Sequence, residues 1–597
     1  MVSFKVKFRA STIEGKDGSL YYQVIYKRTI RQIATSYLIK PSEWNASTED
    51  FIISPKSERT LYIEAIKLAI QSDIRCLRNI VHNFTISKVL FSADMIVAEF
   101  KRTRSNITLF NYMEQMIACY WENIMDRLRI VPKPLKTELL GGEISINASD
   151  AVFSIEEKLG KEEYVLTADQ NGIRISGGSE QALFYGRQTL LQMKGICPCV
   201  RITDKPAHEY RGFMLDCVRH NFSVDDIKKL IDAAASLKMN RFHWHLTDDQ
   251  GFRIWLDSRP SATIEGSVRK RSEFGSLKEE GEYGGYYTKN QMREIVDYCA
   301  ERFITVIPEF DIPGHCSALI HAYPDIGCTE KPVEVKTHQG IFEDILCAGK
   351  DKTFEIVHDI LSEILEIFPS EYIHIGGDEA PKAKWKECPD CQRRIRQAGL
   401  KNEEELQGWF TNEIVSFLKS KGRKAIVWNE SLKSGLIGGE TVVQMWMDPK
   451  KDSVAFANSL GGKIIVSDFF HYYCDYPYSM TPLNKTYNYK AVIKGIKNPE
   501  AVYGVEVPIW TEFINNFEHL CYMFFPRFAA VAESGWTAEE NKNAEDFRKR
   551  FRSYCTILSK IGITAAPPHE WNPSPLARAT GTIGFMNRNV RNKPKSR

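Results

Sequence analysis

Two adjacent carboxylates, Asp378 and Glu379, are the side chains of this 597-residue sequence best suited to acid–base chemistry. They follow an apolar, strand-like stretch that begins at Tyr372 and ends in two glycines, and Pro381 closes the motif. Two acids at the end of a buried strand are unfavourable, because burial opposes charge and each anion opposes the other. A solvated surface turn is the alternative, since glycine, aspartate and proline are common in turns. The electrostatic cost favours a functional role.

Eight apolar, strand-like patterns follow Glu209 and alternate with amphipathic helical patterns. They cover residues 211–218, 240–246, 304–311, 372–379, 424–430, 441–446, 463–468 and 503–512. Such strands predict a parallel sheet covered by helices, and eight of them over about 350 residues predict a (β/α)8 TIM barrel. Acids, histidines, arginines and tryptophans stand where these patterns end. Because the C-terminal strand ends of a barrel face one site, we expect these side chains to lie together.

The chain before the barrel predicts two smaller regions. The first has short strand patterns followed by helical patterns over 60–80 and from 108 to about 125, and the second has strands with one amphipathic helix. The predicted fold class is α/β: a (β/α)8 TIM barrel catalytic domain preceded by a small α+β domain and an N-terminal α+β extension. The expected boundaries are 1–125 for the extension, 129–205 for the small domain, 206–565 for the barrel and 566–597 for a C-terminal tail.

Charge is unevenly distributed along the chain, although the formal net charge is only +3. Residues 1–120 carry 17 basic and 11 acidic side chains, a net of +6, and the remainder carries 62 and 65, a net of −3. The overall balance favours neither nucleic acid nor a membrane as partner. Residues 1–9 alternate charged and apolar types, and no run reaches about 18 apolar residues. We therefore expect a cytoplasmic protein, with a periplasmic or secreted location left open if the native start differs.

The sequence predicts neither a metal site nor a cofactor. Its 14 cysteines are scattered, which is typical of free thiols in a chain of this size. Cys388 and Cys391 form the only Cys-x-x-Cys pair, and without a second pair nearby we interpret them as part of a turn. The histidines lack the spacing of helical zinc motifs, and no glycine-rich phosphate cradle is present. Tryptophans and carboxylates at strand ends suit a sugar instead, because indole faces stack on pyranose rings while carboxylates bind hydroxyls.

Residues 130 to about 562 resemble glycoside hydrolase family 20, the β-N-acetylhexosaminidases. Five motifs in order carry the resemblance: RGFMLDCVRH (211–220), FHWHLTDD (242–249), PEFDIPGH (308–315), HIGGDE (374–379) and WTE (510–512). An ordinary retaining glycosidase needs carboxylates about 5–5.5 Å apart on opposite faces of the scissile bond, which neighbours on one strand cannot easily provide. Family 20 is an exception, because the acetamido group of the substrate acts as the nucleophile.

The resemblance implies a division of labour between the two acids. Glu379 would protonate the glycosidic oxygen and later activate water, which requires a raised pKa. Asp378 would stay ionised and hold the acetamido N–H while stabilising the cationic intermediate. Asp311 and His315 would form a relay that poises Glu379.

Further substrate contacts follow from the same resemblance. Arg219, with Asp248 as its ion-pair partner, and Glu512 would bind sugar hydroxyls. Tyr473 would hydrogen-bond the acetamido oxygen, and Asp475 would help to orient it. The pocket walls and the remaining substrate contact are assigned to Trp428, Trp446, Trp510 and His245. The function that the resemblance implies is exo-hydrolysis of terminal β-linked N-acetylglucosamine or N-acetylgalactosamine from glycans.

Residues 1–120 resemble the arm and core-binding region of tyrosine recombinases, at YLIKPSEWN (37–45) and TLFNYME (108–114). The catalytic domain of those enzymes has no counterpart downstream, which leaves three interpretations: a DNA-binding remnant, a gene fusion or a mis-joined reading frame. We favour a fusion without a role in catalysis. Eight basic and two acidic residues among the first 40 would allow weak DNA binding through phosphate neutralisation, whereas a solvated charged sheet is the alternative. Two other functions remain open: a DNA-associated protein with the barrel as passenger, and an inactive carbohydrate-binding barrel.

Overall fold

The computed structural model describes residues 2–13, 15–52, 59–87, 89–105, 128–447 and 450–590. The chain forms two compact units, Met1–Leu128 and Arg129–Arg597. Among the described residues, none of the helices combines the length and apolar character needed to cross a membrane. The helix predicted from residue 108 lies outside the described residues.

The N-terminal unit is a three-stranded antiparallel sheet packed against helices. Its elements are β1 (Ser3–Arg9), β2 (Gly18–Tyr26), β3 (Thr29–Ile39), α1 (Thr60–Ile86) and α2 (Ala93–Ser105). The central strand β2 alternates buried and partly buried residues, and its Leu20, Tyr22 and Val24 share one apolar cluster with Ile66 and Ile70 of α1. This unit therefore has a core of its own.

The second unit begins with a small α+β region. Its elements are β4 (Lys136–Ile146), β5 (Ala151–Ile155), β6 (Tyr164–Asp169), β7 (Gly172–Gly177), α3 (Glu180–Gln192) and β8 (Gly195–Asp204). The five strands have the order β4-β8-β6-β7-β5. Ser179 caps α3 by accepting a hydrogen bond from the Ala182 N–H, and the helix buries Leu183, Tyr185 and Leu190. One amphipathic helix thus covers one face of the sheet.

Eight parallel strands then close a barrel in chain order, which confirms the predicted fold class. They are β9 (Tyr210–Asp216), β10 (Arg241–His245), β11 (Thr305–Glu309), β12 (Tyr372–His374), β13 (Lys424–Trp428), β14 (Val442–Met445), β15 (Ile464–Val466) and β16 (Val502–Ile509). The last residues of the first four strands, Asp216, His245, Glu309 and His374, are direct neighbours in register. The strand pairing therefore places one layer of polar side chains at the C-terminal end of the barrel.

Helices surround the barrel and bury apolar faces against it. They are α4 (Val224–Ser236), α5 (Pro260–Ile264), α6 (Lys289–Ala300), α7 (Ser317–Ala322), α8 (Asp351–Ile367), α9 (Ala383–Glu387), α10 (Pro389–Gln397), α11 (Glu403–Ser420), α12 (Lys450–Leu460), α13 (Leu483–Tyr487), α14 (Phe517–Phe524), α15 (Arg527–Trp536), α16 (Ala544–Lys560) and α17 (Pro575–Phe585). A separate apolar cluster that includes Tyr210, Ile307 and Ile426 fills the N-terminal end of the barrel interior. The C-terminal end is left for polar groups.

Candidate active site

A buried carboxylate, Glu309, organises the polar layer inside the barrel. Its side chain contacts the imidazole of His245, and it lies 2.9 Å from His374 Nδ1 and 3.1 Å from His243 Nε2. The indole N–H of Trp428 donates to the same carboxylate at 2.9 Å. Burial alone would raise the pKa of Glu309, but the three histidines hold it well below its usual value. Glu309 and its partners therefore form a hydrogen-bonded platform, a layer of buried polar side chains at the C-terminal end of the barrel.

Arg219, in the loop after β9, is held rigidly above this platform. Its guanidinium lies 2.8 Å from Asp248 and 3.3 Å from Asp216, and its Nε donates to Gln250 at 2.8 Å. Glu512, after β16, lies 3.9 Å away. A buried, fully oriented guanidinium next to a carboxylate is suited to hydroxyl groups, because it can donate while the carboxylate accepts.

The two adjacent acids lie on a loop rather than on a strand, which corrects the predicted strand over 372–379. Strand β12 ends at His374, because Gly376 and Gly377 adopt φ angles of 63° and 100°. A Cβ on Gly376 would lie only 1.6 Å from a carboxylate oxygen of Asp311. Glu379 itself has a φ of 44°, a strained value for a residue with a side chain. Strain of this kind is concentrated at functional sites.

Asp378 and Glu379 differ in exposure although they are neighbours. The Asp378 side chain is 11% exposed and that of Glu379 is 30% exposed, and His315 Nε2 lies 3.9 Å from the first carboxylate and 3.7 Å from the second. Burial raises the pKa of Asp378 to about 8 and also raises the pKa of Glu379. The raised pKa of Glu379 suits a proton donor. Burial and the Glu379 charge oppose ionisation of Asp378, whereas His315 favours it, and the ionised state expected of Asp378 stays a prediction.

His315 is oriented by Asp248 rather than by Asp311, which differs from the expected relay. Its Nδ1 lies 3.1 Å from Asp248 and 3.4 Å from Asp249, whereas the Asp311 carboxylate accepts the backbone N–H of Gly377 at 3.3 Å. Burial would lower the pKa of His315, but Asp248 and Asp311 together raise it well above its usual value. The Nε2 atom of His315 therefore faces the two acids, and Asp311 instead fixes the loop that carries them.

A cavity of about 150 Å³ collects these groups at the C-terminal strand ends. It is lined by Arg219, Asp248, Asp311, His315, Asp378, Glu379, Trp446, Phe469, Tyr473, Asp475, Tyr476, Trp510, Glu512 and Phe513. The Tyr473 ring stacks on Trp446 with centroids 6.1 Å apart. A larger cavity, of about 860 Å³, opens at the N-terminal strand ends, but its lining contains none of the predicted site residues. The smaller cavity is therefore the candidate site.

Four buried polar atoms around the smaller cavity have no hydrogen-bond partner among the described residues: Asp378 Oδ1, Asp475 Oδ1, Trp446 Nε1 and His315 Nε2. Buried polar groups are normally satisfied, so each such atom calls for an explanation. Two of these atoms are carboxylate oxygens and the others are ring nitrogens, so the cavity offers both acceptors and donors to a polar ligand.

Two predicted substrate contacts, His245 and Trp428, are fully buried below the cavity instead of lining it. His245 joins Glu309 to Asp248, to which it lies at 2.9 Å, and the Trp428 ring packs 6.2 Å from that of Trp510. Sequence reasoning also missed three aromatic residues of the lining, namely Phe469, Tyr476 and Phe513. Each lies in a loop after β15 or β16 within a few residues of a predicted contact, and that proximity was the available signal.

Family models match this chain over most of the second unit. Glycosyl hydrolase family 20, catalytic domain, matches residues 208–539, and glycosyl hydrolase family 20, domain 2, matches residues 135–205. The chain belongs to glycosyl hydrolase family 20. The resemblance found in the sequence motifs is thereby confirmed, whereas the recombinase-like character of residues 1–120 stays a prediction.

Relatives of this chain include two bacterial β-hexosaminidases. A β-hexosaminidase of Porphyromonas gingivalis is 38% identical over 460 residues, which cover 73% of this chain and 58% of the relative. A β-hexosaminidase of Akkermansia muciniphila is 32% identical over 454 residues, covering 72% of this chain and 90% of the relative. The crystal structure of an exo β-N-acetylglucosaminidase from Vibrio harveyi with N-acetylglucosamine superposes with a TM-score of 0.66 and 27% identity, covering 74% of this chain and 79% of that chain.

Proposed function

We propose that the family 20 barrel removes terminal β-linked N-acetylglucosamine or N-acetylgalactosamine from glycans, with the substrate's acetamido oxygen as the nucleophile. The observation that carries the proposal is the buried Oδ1 atom of Asp378, which has no hydrogen-bond partner among the described residues. Asp378 lines the same cavity as Glu379 and Tyr473. An acetamido N–H would satisfy this oxygen, and the Tyr473 hydroxyl could donate to the acetamido carbonyl.

The first step breaks the glycosidic bond. Protonated Glu379 gives its proton to the glycosidic oxygen while the acetamido oxygen attacks the anomeric carbon and forms an oxazolinium ring. Asp378 accepts the acetamido N–H and balances the positive charge of this ring. In the second step, Glu379 takes a proton from water as the water oxygen attacks the anomeric carbon and opens the ring. Two displacements at the same carbon return the original configuration.

The placement of the acids supports this mechanism over a two-carboxylate one. Asp378 and Glu379 both approach His315 Nε2, at 3.9 and 3.7 Å, so they face the cavity from the same side. A nucleophile and an acid of the ordinary retaining type act from opposite faces of the sugar. An acid and an acetamido-binding carboxylate can instead act from one side.

Removal of single terminal residues is supported by the size of the cavity and by its charged groups. A volume of about 150 Å³ suits one sugar rather than a long glycan. Arg219 and Glu512 would bind the hydroxyls of that sugar, and the Trp510 ring lies against the guanidinium at 5.1 Å. The sugar plane would rest on the aromatic rings.

Two chromogenic substrates test the proposal. The full chain should release 4-nitrophenol from its N-acetyl-β-D-glucosaminide but not from 4-nitrophenyl β-D-glucopyranoside, which has a hydroxyl in place of the acetamido group. Glu379→Gln should strongly lower the rate of this release. Glu371→Gln is the matched control, because Glu371 is 57% exposed and directly precedes β12, at the end away from the loop of Glu379. Equal turnover of both substrates, or none of the first by folded protein, would refute the proposal.

For the N-terminal unit we propose a fused module, similar to a recombinase arm, that takes no part in hydrolysis. Its separate apolar core supports independent folding. A truncation that begins at Arg129 should hydrolyse the glucosaminide at the rate of the full chain, and a large loss of activity in folded truncated protein would contradict this. Binding of the full chain to duplex DNA that weakens with salt, and is lost in the truncation, would identify the basic unit as a DNA contact.

A further inference from the structure

Four cysteine thiols from two loops of the barrel converge on one point. Cys328 and Cys347 lie between β11 and α8, and Cys388 and Cys391 lie at the start of α10. Their sulfur atoms all lie within 4.8 Å of one another. Cys347 Sγ is 3.6 Å from Cys391 Sγ and 3.7 Å from Cys388 Sγ, and Cys328 Sγ is 3.9 Å from Cys391 Sγ. All four are free thiols.

These distances match the edges of a zinc-centred tetrahedron. A Zn–S bond of about 2.3 Å places tetrahedral sulfur ligands about 3.8 Å apart, whereas a disulfide would bring two sulfurs to about 2.05 Å. Four sulfur ligands in a tetrahedron are typical of zinc and unsuited to magnesium or calcium, which prefer oxygen. We propose that Cys328, Cys347, Cys388 and Cys391 bind one structural zinc ion.

The two segments that carry the thiols pack closely against each other, which would hold the four sulfur atoms in place. A Cβ on Gly349 would lie 2.1 Å from the carbonyl carbon of Asp390, so only glycine allows the two loops to touch between the cysteines. The indole N–H of Trp385 donates to the Leu346 carbonyl at 2.9 Å, and the Cys347 N–H donates to the Ile326 carbonyl at 2.8 Å. The ligands are therefore positioned by rigid backbone on both sides.

Two basic side chains, each also paired with a carboxylate (Glu330 and Asp351), bind the backbone next to the cluster. Four thiolates and one Zn²⁺ carry a net charge of −2, which a buried site must offset. The Lys350 ammonium donates to the Gly327 carbonyl at 3.0 Å, directly before Cys328. Arg394, one turn beyond Cys391, donates to the Gly349 carbonyl at 3.3 Å. Both cations thus bind the segments that carry the ligands.

The structure also shows why the sequence did not predict this site. Cys328 and Cys347 are separate single cysteines, so no second Cys-x-x-Cys pair appears in the sequence, yet the fold brings them to Cys388 and Cys391. The latter pair begins the helix α10 rather than forming only a turn. The absence of a second Cys-x-x-Cys pair in the sequence therefore did not reveal which thiols lie together in the fold.

A site with four protein ligands has no open position for substrate or water, so its role is structural. It would tie the loop after β11 to the helix that follows the loop of Asp378 and Glu379. The Leu346 N–H, next to Cys347, donates to the Pro313 carbonyl at 2.9 Å, two residues before His315. The zinc ion would therefore hold in place the two loops that bring His315 to the acids.

Elemental analysis of the full chain, purified without chelators or a histidine tag, tests the proposal. We expect about one zinc ion per chain, as in structural four-cysteine sites, and less than about a tenth of that in Cys347→Ser and Cys391→Ser. Cys555→Ser is the matched control, because Cys555 is a partly buried free thiol on α16 outside the cluster. The control should keep its zinc, and the two cluster variants should also unfold at a lower temperature.

A second measurement does not depend on the folding of variants. The parent chain produced in cobalt-supplemented medium should show the visible absorption of tetrahedral cobalt thiolate, and zinc should abolish that absorption. Folded parent protein that contains no zinc and takes up neither metal would overturn the proposal. Mass spectrometry showing two disulfides among the four cysteines, or cluster variants that retain zinc as the control does, would overturn it as well.

Discussion

Replacing Asp378 by asparagine tests the role of the acetamido group most directly. The change keeps the size of the side chain and an acceptor oxygen but removes the negative charge. Asp378 is only 11% exposed, so its charge acts in an environment of much lower dielectric constant than water. Unit charges about 4 Å apart interact by about 4 kcal/mol at an effective dielectric constant of about 20.

The asparagine dipole would recover part of this energy, so we expect kcat to fall about 100- to 1000-fold, similar to the loss of one preorganised group in other active sites. KM should change little, because the charge matters most once the oxazolinium cation forms. The assay is steady-state hydrolysis of 4-nitrophenyl N-acetyl-β-D-glucosaminide at several pH values, with Glu371→Gln as the control. Activity of Asp378→Asn within threefold of the parent would refute an electrostatic role for this carboxylate.

Three further predictions concern the same cavity. Glu379→Gln should still bind a thiazoline mimic of the intermediate while losing activity about 10²- to 10⁴-fold. The loss should be larger for a disaccharide than for the nitrophenyl substrate, because nitrophenolate needs less help from an acid to leave. Equal losses for the two substrates would contradict the acid role of Glu379. Tyr473→Phe should lower kcat/KM by about 10- to 100-fold, as expected for one lost hydrogen bond of about 1–3 kcal/mol, and an unchanged kcat/KM would remove Tyr473 from the site. Burial raises the pKa of Asp378 to about 8 and also raises the pKa of Glu379, so the pair keeps a proton near neutral pH. We therefore expect kcat/KM to fall as the pH rises through about 8 and the proton is lost. A pH profile that stays flat to pH 10 would show that no proton on this pair is required.

The sequence predicted the barrel well, because strands covered by helices on one side and core on the other have nearly continuous apolar patterns. The resemblance to family 20 implied the pairing of Arg219 with Asp248, which lie 2.8 Å apart. Strand boundaries were less accurate. The apolar pattern continues beyond His374, but Gly376 and Gly377 turn the backbone out of the strand, and a two-residue period cannot reveal that change.

The sequence also could not show whether a side chain at a strand end lines the cavity or is buried beneath it. A residue near the end of a barrel strand can point into the cavity or into the layer beneath it. Trp428 and His245 were predicted as substrate contacts, yet both are fully buried and contact Glu309. Which of two nearby carboxylates orients His315 was likewise decided by side-chain direction, which depends on the loop conformation around Asp311 rather than on residue type.

The buried carboxylate Asp248 links sugar recognition to proton transfer. One of its oxygens lies 2.8 Å from Arg219 and 2.9 Å from His245, and the other lies 3.1 Å from His315. Burial would raise the pKa of Asp248, but Arg219 and His315 keep it well below its usual value, so the carboxylate remains charged. A sugar hydroxyl that binds Arg219 would therefore contact a group paired with the same anion that fixes the imidazole beside Glu379. Substrates that lack the hydroxyls bound by Arg219 should lose kcat as well as affinity, because the binding energy of those hydroxyls helps to position the glycosidic oxygen at the acid.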